Sequence, residues 1–204
     1  MKNYKLLTPG PLTTTEAVKK EMLFDRCTWD DEYKSITQKI RKELLDIGNV
    51  NEEDYTAVLM QGSGTFAVES VITSTVGEKD KLLIIANGAY GERIGQIAEH
   101  ISLNHVIYNN GYDEHPNMDK VKEILDKDTE ITHIAMVHCE TTTGILNPIE
   151  DLSVIAKEYN KTLIIDAMSS FGGIPIDIKA LGIDYLISSA NKCIQGVPGF
   201  GFVI

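Results

Sequence analysis

Thr162-Leu163-Ile164-Ile165-Asp166-Ala167-Met168-Ser169-Ser170 reads as a short strand that ends on a carboxylate and breaks into a polar turn. The run Leu163-Ile164-Ile165 is apolar without alternation, as expected for a strand of a parallel sheet covered on both faces. A second run of the same kind, Tyr185-Leu186-Ile187-Ser188-Ser189, leads through Ala190 and Asn191 to Lys192. Outward from these two runs, strand and helix patterns alternate. Strands are expected over residues 57–61, 81–86, 105–109, 131–138, 162–166 and 185–189, and helices over 14–24, 30–47, 65–75, 90–101, 118–126 and 149–160. Such alternation predicts an α/β fold, a mostly parallel sheet with helices on both faces.

Bulk properties narrow the function. The formal net charge is −11 with no block of Lys and Arg, which argues against nucleic acid or an anionic membrane as partner. Cys27, Cys139 and Cys193 are odd in number and far apart, so no disulfide framework is implied and a reducing, cytoplasmic setting is the simple reading. No segment approaches the length of a membrane span, and the apolar part of residues 1–7 is too short for a signal peptide. Metal binding is not expected. His133 and His138 lie five apart on a strand and point to opposite faces, and no ligand set has zinc spacing.

Four polar clusters follow strands. Gln61-Gly62-Ser63-Gly64-Thr65 opens a helix, and its glycines and free N–H groups suit a phosphate, although an ordinary capped turn would read the same. Asn87-Gly88-Ala89-Tyr90-Gly91-Glu92-Arg93 offers Tyr90 for stacking on a flat ligand, or for core packing. His138-Cys139-Glu140-Thr141-Thr142-Thr143-Gly144 supplies hydroxyls for a polar ligand edge. Asp166-Ala167-Met168-Ser169-Ser170 is the fourth. Singly, each has a bland reading: Asp166 could cap a turn and Lys192 could be a surface lysine. Together they converge on the carboxyl ends of strands in one sheet, where open α/β sheets bind ligands.

The pair Asp166 and Lys192 in that crevice is what pyridoxal phosphate chemistry needs. A lysine amine forms a Schiff base with the cofactor aldehyde, and an aspartate holds a proton on the pyridine nitrogen. The glycine-rich, near-neutral flanks of Lys192 help it act as a nucleophile, and Cys193 reads as its neighbour.

On the segments LLTPGPL, DRCTWDDEY, QGSGTFAVES, NGAYGERI, VHCETTTGILNP, IIDAMSSFGGIPID and SSANKCIQGVPGFGFVI, the chain resembles the fold-type I, pyridoxal-phosphate-dependent aminotransferases of the alanine–glyoxylate/serine–pyruvate group. The stretches Cys27-Thr28-Trp29-Asp30 and His138–Gly144 point, within that group, to members that use an aminophosphonate. The resemblance implies that Lys192 is the Schiff-base lysine and proton shuttle and that Asp166 pairs with the pyridinium nitrogen. It implies a phosphate cradle of Gly64, Thr65 and Asn191 with Ser63 nearby. Tyr90 would lie on one ring face and Met168 on the other, and Thr141, with Thr143 as the alternative, at the 3′-oxygen side. The Thr8-Pro9-Gly10-Pro11 segment would line the substrate entrance. The implied reaction is two-stage: aminoethylphosphonate leaves as phosphonoacetaldehyde, and pyruvate then leaves as L-alanine. A homodimer is also implied, with an arm over residues 1–25 and an incomplete large domain over 26–204.

The run Gly199-Phe200-Gly201-Phe202-Val203-Ile204 reads as a strand in progress, so the chain is expected to be the N-terminal part of a longer protein. In the resembled family the substrate-clamping arginine, the small C-terminal domain and groups from the second subunit lie beyond this point. The 204 residues alone are therefore expected to show little transaminase activity and weak cofactor binding. Alternatives are alanine–glyoxylate or serine–pyruvate transamination, or a non-catalytic fragment. Cysteine desulfurases fit less well, because they usually place histidines where Asn191 and Tyr90 stand here.

Overall fold

The computed structural model describes residues 4–204. Two helices come first, α1 (Glu16–Glu21) and α2 (Asp31–Ile47). Strands and helices then alternate: β1 (Val58–Gln61), α3 (Gly64–Thr75), β2 (Leu82–Ala86), α4 (Ala89–His100), β3 (His105–Asn109), α5 (Met118–Lys127) and β4 (His133–Val137). A short hairpin of β5 (Cys139–Glu140) and β6 (Ile145–Leu146) precedes α6 (Ile149–Glu158). The last elements are β7 (Thr162–Asp166), α7 (Ile178–Leu181), β8 (Tyr185–Ser189) and β9 (Phe200–Val203).

Seven strands form one sheet in the order β1-β9-β8-β7-β4-β2-β3. All pairings are parallel except those of β9, which runs antiparallel to both β1 and β8. The mostly parallel sheet expected from the alternating pattern is therefore present. The Gly199–Ile204 run is no edge strand: Ile204 exchanges backbone hydrogen bonds of 2.9 Å with Leu186 inside the sheet.

Side-chain alternation along the strands divides the core in two. Leu83 and Ile85 of β2, with Ile134, Met136, Leu163, Ile165, Leu186 and Phe202, face Leu44, Leu45, Val121, Leu125, Leu152 and Ile155 of α2, α5 and α6. Leu82 and Ile84, with Ala135, Val137, Ile164 and Ile187, face Val68, Val71, Ile72, Ile94 and Ile97 of α3 and α4. Covering both faces is why the strand sequences show unbroken apolar runs. Gly91 lets α4 lie close on β2, since a Cβ there would stand 2.8 Å from the Ala86 Cα.

Short elements differ from the sequence reading, α7 among them, since its four residues carry no clear period. The first helix spans Glu16–Glu21 rather than 14–24, because Thr15 caps it through Val18 N–H and the chain turns at Met22. The sequence pattern assigns no element to the β5–β6 hairpin. Its strands are two residues each and too short for periodicity to reveal.

Candidate active site

The carboxyl ends of β1, β2, β4, β7 and β8 share one end of the sheet, and the turns that follow them surround a cavity of about 210 Å³. Ser63, Gly64, Thr65, Tyr90, Thr141, Asp166, Met168, Asn191 and Lys192 all line it. Thr143 does not. Its hydroxyl accepts from Ile145 N–H across the hairpin turn. Ser169, Cys139 and Arg93, which the sequence places in the polar clusters without a role of their own, line the cavity as well, together with Ser189.

Asp166 ends β7 and is 4% exposed. One carboxylate oxygen accepts from Met168 N–H at 3.0 Å, and no cation lies within ion-pair distance among the described residues. Burial pushes its pKa up to about 6. The Met168 N–H and the more distant Lys192 pull it down, and Glu140 adds to the rise. A buried carboxylate with an uncommitted oxygen facing a cavity calls for a cationic or proton-bearing ligand.

Lys192 lies three residues past β8 and is half-buried. Its loop is fixed by Gln195 N–H to Lys192 C=O at 2.8 Å and Gly196 N–H to Ala190 C=O at 2.7 Å. Gly10 of the N-terminal segment packs on the Lys192 stem so closely that a Cβ there would overlap Lys192 Cδ. The Thr8–Pro11 segment thus reaches the cavity at its lysine.

The two helices that open onto the cavity have different N-termini. At α3, Ser63 Oγ accepts from Phe66 N–H at 3.2 Å, and Ala67 N–H bonds to Ser63 C=O, while the Gly64 and Thr65 N–H groups find no partner among the described residues. That end can receive an anion. Met168 lies directly over it, since a Cβ on Gly64 would stand 2.5 Å from the Met168 sulfur. At α4, a carboxylate of the chain itself occupies the equivalent place. Glu140, fully buried, accepts from Tyr90 N–H at 3.2 Å, Gly91 N–H at 3.2 Å, Thr142 N–H at 3.3 Å and the Thr142 hydroxyl at 2.8 Å. Thr142 Oγ1 accepts in turn from Ala89 N–H. The helix N-terminus left open to the cavity is therefore that of α3, and α4 presents its Tyr90 side chain.

Gly88, the residue before α4, is in extended backbone open to any residue. Its requirement is steric, because a Cβ would overlap Glu140 Cγ and Cδ. Gly88→Ala is expected to lower stability by about 1–3 kcal/mol, the usual cost of an overpacked interior, read as a lowered Tm. An unchanged Tm would mean that Glu140 is not seated as described.

Other polar contacts brace the cavity walls. Thr141 Oγ1 and Ser169 Oγ are 2.6 Å apart and join β5 to the turn after β7. Cys193 Sγ donates to Ser169 C=O at 3.4 Å, as befits a neighbour of the lysine. Asn87 and Asn147 exchange amide hydrogen bonds of 2.8 and 2.9 Å in full burial. His138 stands outside the cavity lining, with Nδ1 2.9 Å from Ser170 Oγ, and burial lowers its pKa. No group of three or more His, Cys, Asp or Glu side chains among the described residues could hold a metal ion. No described helix is long and apolar enough to cross a membrane.

The model of the family described as Aminotransferase class-V matches residues 27–204, and the chain belongs to that family. The chain is 65% identical over 204 residues to the 2-aminoethylphosphonate–pyruvate transaminase of Lysinibacillus sphaericus, covering 100% of this chain and 56% of that protein. It is 61% identical to the enzyme of the same name from Bacillus cytotoxicus, again covering 100% of this chain and 56% of the relative. Among solved structures, alanine–glyoxylate aminotransferase from Nostoc sp. matches with a TM-score of 0.91 at 25% identity, over 100% of this chain and 53% of that one. The chain thus spans about half the length of the relatives it matches.

Proposed function

We propose that this chain carries the pyridoxal-phosphate site of a transaminase that moves the amino group of 2-aminoethylphosphonate to pyruvate. The observation that supports it most is Asp166 and Lys192 on neighbouring strand ends, facing one cavity with the free N–H groups of α3. Identity of 65% to a relative named for that reaction favours this donor over alanine with glyoxylate, where the structural match is 25% identical.

The residues fit the cofactor. Gly64 and Thr65 N–H groups, with the Ser63 and Thr65 hydroxyls and Asn191, would hold its phosphate. Asp166 would hold a proton at the ring nitrogen, Tyr90 and Met168 would bound the ring faces, and Thr141 would meet its oxygen edge. Bound there, pyridoxal phosphate supplies an electron sink for the carbanion formed at the donor carbon. Lys192 supplies the amine that attaches the cofactor and moves the proton at that carbon. Asp166 suits this task because it is buried and one of its oxygens is uncommitted, so its ionised carboxylate would interact with a protonated ring nitrogen without competition from water.

A cytoplasmic homodimer is part of the proposal. Three unpaired thiols suit a reducing compartment, and the exposed apolar side chains Leu7, Leu23, Phe24 and Trp29 offer surface for a second copy. The direct test compares turnover of aminoethylphosphonate with pyruvate against alanine with glyoxylate, using the protein as the cell makes it, with pyridoxal phosphate added. Faster phosphonoacetaldehyde formation is expected. Preference for alanine and glyoxylate would overturn the donor assignment.

A further inference from the structure

Glu140 is a fully buried carboxylate that no step above uses. Its strand is tied to the strand of Asp166, because His138 N–H donates to Asp166 C=O at 2.8 Å and Asn147 N–H returns to His138 C=O at 2.7 Å. From that anchor its two oxygens reach across to α4 and take the Tyr90 and Gly91 N–H groups. The helix has no cap of its own, since Gly88 carries no side chain. A helix opening without a side-chain cap leaves its first N–H groups to be satisfied from elsewhere. Here a carboxylate does so from another element, where the positive end of the helix favours it. Tyr90 is thereby hung from the wall that carries Asp166.

We infer that Glu140 is a positioning residue: by holding the first turn of α4 against the Asp166 strand, it sets where the Tyr90 ring stands over the cavity. This rests on the reading that the cavity takes pyridoxal phosphate with Tyr90 against its ring. Thr142 is the second member of the device, bonding Glu140 through its hydroxyl and receiving Ala89 N–H. Gly88 is the third, leaving room for the glutamate stem.

The test is a double-mutant cycle on cofactor affinity, titrated by absorbance with pyridoxal phosphate. Glu140→Gln in the native background is expected to weaken binding about tenfold, the size of one charge-assisted hydrogen bond. In a Tyr90→Ala background the same change is expected to cost under about twofold, because the residue it positions is gone. Equal losses in the two backgrounds would overturn the inference, as would no loss in either. Thr142→Val alters the exposed side of the hairpin, and it keeps the cycle informative if Glu140→Gln fails to fold. It should weaken binding less, with the same dependence on Tyr90, and independence from Tyr90 would again overturn the inference. Hydrogen exchange in the cofactor-free protein separates this inference from the functional reading. Amides of residues 89–91 should exchange about tenfold faster in Glu140→Gln while those of the sheet are unchanged. Unaltered exchange there would overturn the role of Glu140 whether or not the protein takes up cofactor. Failure of the native protein to bind cofactor would count against the functional reading.

Discussion

Lys192→Ala is expected to leave a folded protein that has lost covalent cofactor attachment and at least about 10³-fold of any transaminase turnover. The fold should tolerate the change. Lys192 is half-buried, makes no ion pair among the described residues, and sits in a loop held by backbone bonds. The chemistry should not tolerate it, because in the proposed reaction the amine would both attach the cofactor and move the proton. Lys192→Arg separates charge from reactivity. An arginine carries a positive charge at this position but does not give up its proton, so its turnover should fall nearly as far. Turnover close to native in Lys192→Arg would show that the residue acts only as a charge.

Asp166→Asn is expected to have opposite effects on stability and on activity. Unfolded, Asp166 loses its proton near 3.8, and folded it keeps the proton to about 6. Between these values the folded state binds more protons than the unfolded one. The stability Asp166 contributes is thus present below pH 3.8 and lost as pH rises through about 6, a loss of about 3 kcal/mol at most. Asparagine does not titrate and can keep the bond from Met168 N–H. The cofactor-free Asp166→Asn protein should therefore be more stable than the native protein at pH 7 by up to about 3 kcal/mol, with the difference vanishing near pH 4. Urea unfolding at the two pH values measures it. Turnover with cofactor should fall on the order of 10²-fold or more, because the amide cannot hold a proton on the ring nitrogen. A variant with unchanged stability at both pH values would mean that Asp166 is not buried as an uncompensated acid.

The sequence displays the sheet and the end of it that carries the cavity clearly, because both depend on local patterns. Leu163–Ile165 and Leu186–Ile187 are buried on two faces and so read as parallel strands, and the turns after them must meet at one end of the sheet. Gly64 and Thr65 are visible because strand, glycine turn and helix follow one another in the chain. What the sequence hides is long-range. The part played by Glu140 depends on a helix start 50 residues away, and only the absence of a capping residue at Gly88 hints at it. Ser169 lies inside a stretch singled out for its aspartate, yet its link to Thr141 spans 28 residues. Thr141 and Thr143 look equivalent in the run of three threonines. The hairpin turns Thr141 to the cavity and spends the Thr143 hydroxyl on its own backbone, a distinction set by two-residue strands that carry no periodic signal.

The most direct measurement is a borohydride trap: incubation with pyridoxal phosphate, reduction, digestion and mass spectrometric location of the modified lysine. A single adduct on Lys192, absent from Lys192→Arg, is the predicted result. Adducts scattered over exposed lysines, with Lys192 unmodified, would contradict the assignment of this cavity as the cofactor site.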